Sequence, residues 1–465
     1  MPLATDILLR SWREAAVTLL ALLGTLASTQ WMYPGPESAV LGVVLSLSLA
    51  RSHLGDQRRG RLEALLALPV VSLASVGVGF LLRHAPWAGA TVFVAGMALS
   101  IWMRRFGPLA LRAGSLIVLP LVTILVVPHL SHDGAGALPT LVRPVAVALV
   151  ALAWVELVQA GGRRIGWTAV QAGTGDDPAA PRAPSALRLS PSTRMALQMA
   201  AALVASFVVG FVFFPSHWSW IVLTAFIVNS GNRGRQDVVY KSALRVLGAA
   251  AGTLLAMAVA SQVAVHGATA ATLILACVFL GIWLRPLGYG WWALFVTLAL
   301  ALLQALQAAP EPQSLAFLWL RLMEIAIGAV LGLGAAWFVY PIRSTDVLRR
   351  RLADALAAMG EAMDPQTATR GGDTIVAAIA QVEQLRPSFH ARHLALRRWQ
   401  AVQPVDWINT LTACRAPVIA LVERGEAPGA VRKAIGSARK AMREPAEILP
   451  ALMALRQALD RSESV

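Results

Sequence analysis

The chain has 465 residues, 57% of them hydrophobic and 14% charged, with a mean hydropathy of +0.62, against about 45–50% apolar and about 25% charged in an average soluble chain. So much apolar surface cannot be hidden in a soluble core of this size, which excludes an ordinary soluble enzyme and makes the bilayer the expected solvent. The net charge of +15 lies in short Arg clusters between apolar runs, so it speaks for membrane topology and lipid headgroup contact and against a nucleic-acid partner.

The N-terminus "MPLATDILLRSWRE" lacks a cleavable-signal pattern, so the first apolar run is expected to be retained as a span. With spans of about 20 residues, the first part of the chain predicts six, near 15–31, 37–51, 62–82, 86–103, 109–128 and 140–160. A second set of six follows near 193–214, 217–231, 242–262, 268–284, 288–307 and 314–340. Arg10 and Arg13 precede the first span, Arg51, Arg58, Arg59 and Arg61 join the second to the third, Arg104 and Arg105 follow the fourth, and Arg163 and Arg164 the sixth. Arg233, Arg235 and Lys241, then Arg285, then Arg343 repeat the pattern in the second set, while the alternate loops hold almost no Lys or Arg. By the positive-inside rule both termini are therefore expected in the cytoplasm.

The fourth span reads "ATVFVAGMALSIWMRRFG" from Ala90, and 181 residues later the tenth reads "ATLILACVFLGIWLRPLG" from Ala271, identical at eight of eighteen positions without a gap. So long a period is a duplicated module rather than a solenoid. An even number of spans per module makes the repeat parallel, with a pseudo-two-fold axis along the membrane normal.

The predicted fold is thus an all-α membrane protein of two parallel six-helix transmembrane repeats, about twelve spans, with a C-terminal cytoplasmic helical domain. Residues 1–165 form the first repeat, 166–192 a flexible linker rich in Gly, Pro and Ala, 193–342 the second repeat and 343–465 the tail. In the tail, amphipathic helices are predicted near 344–363, 373–399, 404–424, 427–442 and 445–462, the first capped by Ser344 or Thr345 and buried along Leu348, Leu352, Ala355, Leu356 and Met359.

From His217 the sequence runs "HWSWIVLTAFIVNSGNRGRQDVVYKSALRVLGAAAGTLLAMAVA": a Trp-rich span start (Trp218, Trp220), then Leu223 and Thr224, a basic loop with Arg233, then Arg245 and a Gly-Thr-rich span at Gly248, Gly252 and Thr253. This resembles the fusaric acid resistance protein-like family, also called the aromatic acid exporter family, as does the exit "FVYPIRSTDVLRRRLADAL" into a helical region. The resemblance covers about residues 195–365 and reaches the first half mainly through the internal repeat. It implies an inner-membrane protein engaged in efflux of aromatic carboxylic acids and related toxic compounds. More distantly the module is similar to plant aluminium-activated malate transporters, anion channels built as dimers. Longer members of the family carry a large cytoplasmic region after each membrane half, whereas here a short linker follows the first.

Ionisable side chains inside spans are costly, roughly 2.5–3.5 kcal/mol on insertion scales, and mark functional candidates. Arg321 and Glu324 lie three apart on one face of the twelfth span, and Arg143 holds a comparable place in the sixth. The two arginines can offer bidentate sites to an organic anion, with Glu324 neutralising Arg321 or exchanging a proton. The competing reading has the arginines snorkel to the outer interface and Arg321 form a fixed ion pair with Glu324. Arg104 and Arg285, ending the repeated segments, are either an anion vestibule or positive-inside anchors. Arg245 sits about one turn into the ninth span, deeper than a loop residue. Trp218 and Trp220 either stack an aromatic substrate or belong to the membrane interface, and Thr224 enters through the family pattern. "GAAAG" from Gly248 and "GAVLG" from Gly328 are small-residue spacings suited to close helix packing.

No P-loop, zinc-protease or paired-Cys motif occurs, so neither a cofactor nor catalysis is expected. The expected function is export of aromatic or other organic anions across the inner membrane, driven by the proton gradient or the membrane potential. A passive organic-anion channel and a non-transporting scaffold or lipid-binding protein are the alternatives. The expected partners are a small organic anion and membrane lipids, with a periplasmic adaptor protein or a second copy of the chain left open.

Overall fold

The computed structural model describes residues 2–51, 58–126, 137–167, 189–262, 267–307, 315–364, 372–396 and 403–463, and every regular element among them is helical. Helices are what apolar runs must form in hydrocarbon, where each backbone N–H and C=O has to be satisfied within its own segment. The first half supplies α1 (Pro2–Met32), α2 (Pro36–Arg51), α3 (Arg58–His84), α4 (Pro86–Trp102), α5 (Pro108–Val126) and α6 (Ala137–Arg164). The second supplies α7 (Pro191–Phe213), α8 (Trp218–Asn229), α9 (Arg235–Gln262), α10 (Gly267–Leu284), α11 (Tyr289–Gln307) and α12 (Leu315–Phe338). Most of the predicted linker, residues 168–188, lies outside the described residues.

The chain is an all-α membrane protein. Nine helical stretches among the described residues are long and apolar enough to cross a membrane, and four shorter apolar ones lie in α2, α5, α8 and α11. One of the nine, Pro404–Glu423, is two helices in the tail, considered below. α5 and α6 run on through positions 120 and 144 despite the prolines there.

The chain divides into two compact units. The first contains residues 1–230 and 241–340. Within it α1, α2 and α6 pack on one another, as do α7, α8 and α12. Contacts between the halves include an exchanged pair, α1 on α10 and α7 on α4, and α5 also packs on α8. At the first of these Ser11 donates to the Trp283 carbonyl at 2.8 Å and the Trp283 indole N–H returns a bond to the Leu8 carbonyl at 3.1 Å. At the second Phe93 and Phe207 meet edge to face, 5.5 Å apart. α4 and α10 each end in a 3₁₀ turn, Met103–Phe106 and Arg285–Leu287, followed by a glycine at positive φ (Gly107 +102°, Gly288 +157°).

The second unit contains residues 231–240 and 341–465. Its tail helices are α13 (Ser344–Ala362), α14 (Gly372–Glu383), α15 (Arg386–Leu396), α16 (Pro404–Ala413), α17 (Arg415–Glu423), α18 (Gly429–Ala441) and α19 (Pro445–Glu463). Leu348, Leu352, Ala355, Leu356 and Met359 are buried in its core as the stripe predicts. Two predicted helices are each broken in two, between α14 and α15 and between α16 and α17. Pro387 and Pro417 sit in the first turn of the following helix, where proline needs no partner for its missing N–H but cannot continue the helix before it. Trp407, Ile408, Leu411, Val418 and Leu421 of α16 and α17 are buried in this core, which accounts for their apolar character. Ser344 does not cap α13: its hydroxyl accepts the Gln236 backbone N–H at 3.0 Å and so serves the start of α9 instead.

Candidate functional site

α8 is the element on which the site is built. At about 1.5 Å per residue its 12 residues run about 18 Å, well short of a hydrocarbon core about 30 Å thick. It is buried over nearly its whole length, so its ends lie among other helices rather than in lipid. α12 runs parallel to it. Glu324 meets His217, Gly328 meets Ile221 and Thr224, and Gly332 meets Ala225 and Asn229, successive turns on both sides. The pair approaches closely because these positions are glycine. A Cβ on Gly328 would collide with the Ile221 carbonyl oxygen and lie 2.9 Å from Thr224 Cβ.

This contact brings Arg321, Glu324, Trp220 and Thr224 together, and it adds a residue that the sequence did not single out. Glu324 is buried, 1% exposed, and its carboxylate lies 3.7 Å from Nδ1 of His217, which precedes α8 and is about one-third exposed. The positive end of the α8 dipole favours a carboxylate at this place. Arg321, 3% exposed, turns instead onto the indole face of Trp220, with its guanidinium carbon 4.2 Å from the ring centre. Arg321 and Glu324 remain within electrostatic reach of each other, and each has a further contact, Trp220 for Arg321 and His217 for Glu324. The only signal for His217 in the sequence is its place as the lone ionisable residue of "FPSHW", directly before the Trp-rich span start.

The other candidates separate. Trp218 packs between Phe207 and Phe211, 5.4 Å from each ring, and its Cβ fills the space opposite Gly210. It is a packing residue of α7 and α8, so its neighbour Trp220 alone faces the charged cluster. Arg143 is half-buried on α6 with its guanidinium 5.8 Å from the Tyr33 ring centre. Arg104 is half-buried in the turn after α4, and Arg285 is exposed in the corresponding turn after α10, where it feels the charge of Glu14 on α1.

Arg245 is not a loop or surface residue. It is 1% exposed and donates through one Nη to the Thr297 hydroxyl at 3.2 Å. Its helix packs on α11 through Gly248, opposite Ala293 and Gly290, and Gly252, opposite Leu294 and Thr297. The same glycine spacing that brings α8 and α12 together thus places Arg245 against α11. Arg245 lies close enough to Arg321 to repel it, and Glu324 is the carboxylate that acts on Arg321.

What the arrangement offers is a cationic surface backed by an aromatic ring and flanked by an exchangeable proton site on His217 and Glu324. A guanidinium is the side chain that can both contact an aromatic face and donate bidentately to a carboxylate. Among the described residues no group of three or more His, Cys, Asp and Glu side chains is placed to hold a metal ion.

Residues 200–335 match the model of a protein family described as fusaric acid resistance protein-like, which supports the resemblance drawn from His217 onward. The matched stretch contains His217, Trp218, Trp220, Thr224, Arg245, Arg285, Arg321 and Glu324, and leaves Arg104 and Arg143 outside. No curated protein matches the chain, and no solved structure does.

Proposed function

We propose that the protein exports aromatic or other organic anions across the bacterial inner membrane, with Arg321 as the anion-binding group. The observation that carries this reading is the buried guanidinium of Arg321 lying on Trp220 beside the His217–Glu324 pair. The family match supports a transport-related role. The reading includes twelve spans in two parallel six-helix repeats, α1–α6 and α7–α12, with both termini and the tail domain in the cytoplasm. Eight long apolar helices outside the tail and four shorter ones make that number, and the exchanged packing of α1 on α10 and α7 on α4 is what two equivalent modules would give.

The membrane potential alone favours exit of an anion by about 2.3 kcal/mol per charge per 100 mV. Proton exchange at Glu324 is therefore an additional drive rather than a requirement. The test is growth of a host lacking its own aromatic-acid efflux, expressing the protein or Arg321→Ala at matched membrane levels, on aromatic carboxylates, aliphatic diacids and uncharged toxins. Protection confined to anions and lost in the variant is expected; protection that survives Arg321→Ala removes Arg321 from the pathway. Glu324→Gln, tested beside it, keeps protection if the potential drives export and loses it if protons do.

A further inference from the structure

Arg245 poses an electrostatic problem that its protein neighbours leave unsolved. Its guanidinium is fully buried; the Tyr289 phenol is the titratable group whose field favours its charge, and no carboxylate among the described residues lies within ion-pairing distance. One nitrogen donates to Thr297; Nε and the second Nη have no hydrogen-bond partner among the described residues. A guanidinium does not lose its proton in a protein. Burying one costs several kcal/mol unless an opposite charge comes with it. Arg321, within mutual electrostatic reach, makes the surroundings more positive still.

The geometry also says where this charge sits. Gly248 of α9 faces Ala293 and Gly290, and Gly252 faces Thr297. To reach the Thr297 hydroxyl, the Arg245 side chain must run past Gly248, so the guanidinium is carried more than one turn beyond its own Cα. Thr297 is the ninth of nineteen residues in α11, which puts the charge near the middle of that helix. The side chain is thus held between the two helices and does not turn back toward the start of its own span, as a snorkelling arginine would.

We propose that Arg245, with the Thr297 hydroxyl, forms an anion-binding site between α9 and α11 that takes one halide or one carboxylate group. It is a second station, deeper than Arg321. An anion there neutralises a charge that the helices otherwise leave buried without compensation, and it can receive the two donors that Thr297 leaves over. Two sources share this chemistry, inorganic chloride and the carboxylate of a transported anion. That the occupant is cargo rests on the exporter reading; the site itself does not.

The test is thermal unfolding of the full-length protein in detergent, followed by intrinsic Trp fluorescence. Sodium methanesulfonate, neither a halide nor a carboxylate, is replaced stepwise by sodium chloride or sodium benzoate at constant ionic strength. A ligand that binds only the folded state raises the midpoint saturably with its concentration. Wild type is expected to show such a rise with at least one of the two anions. Arg245→Gln is expected to abolish it and, in methanesulfonate, to unfold no earlier than wild type, because it removes an uncompensated charge. Should Arg245→Gln not be purifiable, Thr297→Val keeps the charge and the volume and is expected to weaken the anion about 3–10-fold, the worth of one hydrogen bond. Arg321→Gln is expected to retain the effect.

A midpoint indifferent to anion identity in wild type overturns the site, as does an Arg245→Gln protein that responds as wild type does. A response to chloride that benzoate does not displace identifies a resident halide, and one that benzoate displaces identifies a cargo station. The site and the exporter reading fail separately. Anion-dependent stability without anion-selective protection removes the exporter and keeps the site; protection by a protein with no Arg245-dependent binding does the reverse.

Discussion

Arg321 has its guanidinium carbon over the Trp220 ring, 4.2 Å from the ring centre, and a contact of this kind distinguishes a guanidinium from an equal charge of another shape. Lysine would keep the charge but lose both the planar fork and most of the stacking. Arg321→Lys is therefore expected to lose at least tenfold in the lowest toxic anion concentration withstood, close to Arg321→Ala, whereas Trp220→Phe, which keeps a π face, falls between Lys and wild type. A lysine variant protecting as well as wild type would show that only charge matters there. The two arginines and Glu324 are legible in the sequence because any ionisable residue in an apolar run stands out. His217 and Thr297 are not, since a histidine in a short loop and a threonine in a span are ordinary; only the packing of α8 on α12 and of α9 on α11 gives them their partners. The tail offers a residue of the opposite kind. Cys414 is fully buried between α16 and α17 with its Sγ 3.3 Å from the Thr410 carbonyl, and burial pushes its thiol up to about 11, with Asp460 adding to the rise and Arg456 opposing it. The thiolate, which alone reacts, is then a small fraction at pH 8. In a Cys277→Ser background, alkylation of the folded protein at pH 8 is expected to be slower than in denaturant by roughly 200-fold from ionisation alone. Comparable rates in the two states would mean that the tail core is open.

The helix pairs depend on glycines that are not equivalent. A methyl on Gly328 would drive into the Ile221 carbonyl and Thr224, which are backbone and a branched side chain on a buried helix. Gly334, one and a half turns on, has open space where its Cβ would be. Gly328→Ala is expected to lower the thermal midpoint by the equivalent of about 1–3 kcal/mol, while Gly334→Ala is neutral or slightly stabilising because alanine is the better helix former. Equal effects of the two would contradict the close approach of α8 and α12. The "GAVLG" spacing is visible in the sequence, but which glycine is indispensable is not, because that depends on what the neighbouring helix presents. The same holds for boundaries. Apolar runs locate the membrane helices well, since hydrocarbon leaves the backbone no other choice. The tail's paired helices were harder to divide, because Pro387 and Pro417 fall inside amphipathic patterns that continue across the break. Ser344 shows the limit of capping rules, its hydroxyl taken by a helix more than a hundred residues away.

At the scale of the molecule, the repeat that the sequence shows between Ala90 and Ala271 is also where the halves meet. α4 and α10 carry the repeated residues, and each packs on the first helix of the other half, α7 and α1. The sequence shows the repeated segment and, from loop charges, predicts parallel orientation. It could not establish this exchange, because apolar side chains that face a partner helix and those that face lipid look alike. Exchanged contacts make assembly independent of the covalent link, since the halves meet at several helix pairs among the described residues: α1 with α10 through Trp283, Leu8 and Ser11, α4 with α7 through Phe93 and Phe207, and α5 with α8. The halves are therefore expected to assemble when residues 1–175 and 176–465 are expressed as separate chains in one cell. An affinity tag on the first should retain the second through detergent extraction, and protection should return to a substantial part of the intact level. Phe93→Ala together with Phe207→Ala should weaken that retention, because an edge-to-face pair contributes about 0.5–1.5 kcal/mol beyond the area it buries. If both fragments insert but never co-purify, the exchanged pairing does not hold the halves together, and the linker would have to do so. That outcome would also remove the structural basis for treating α1–α6 and α7–α12 as two equivalent modules.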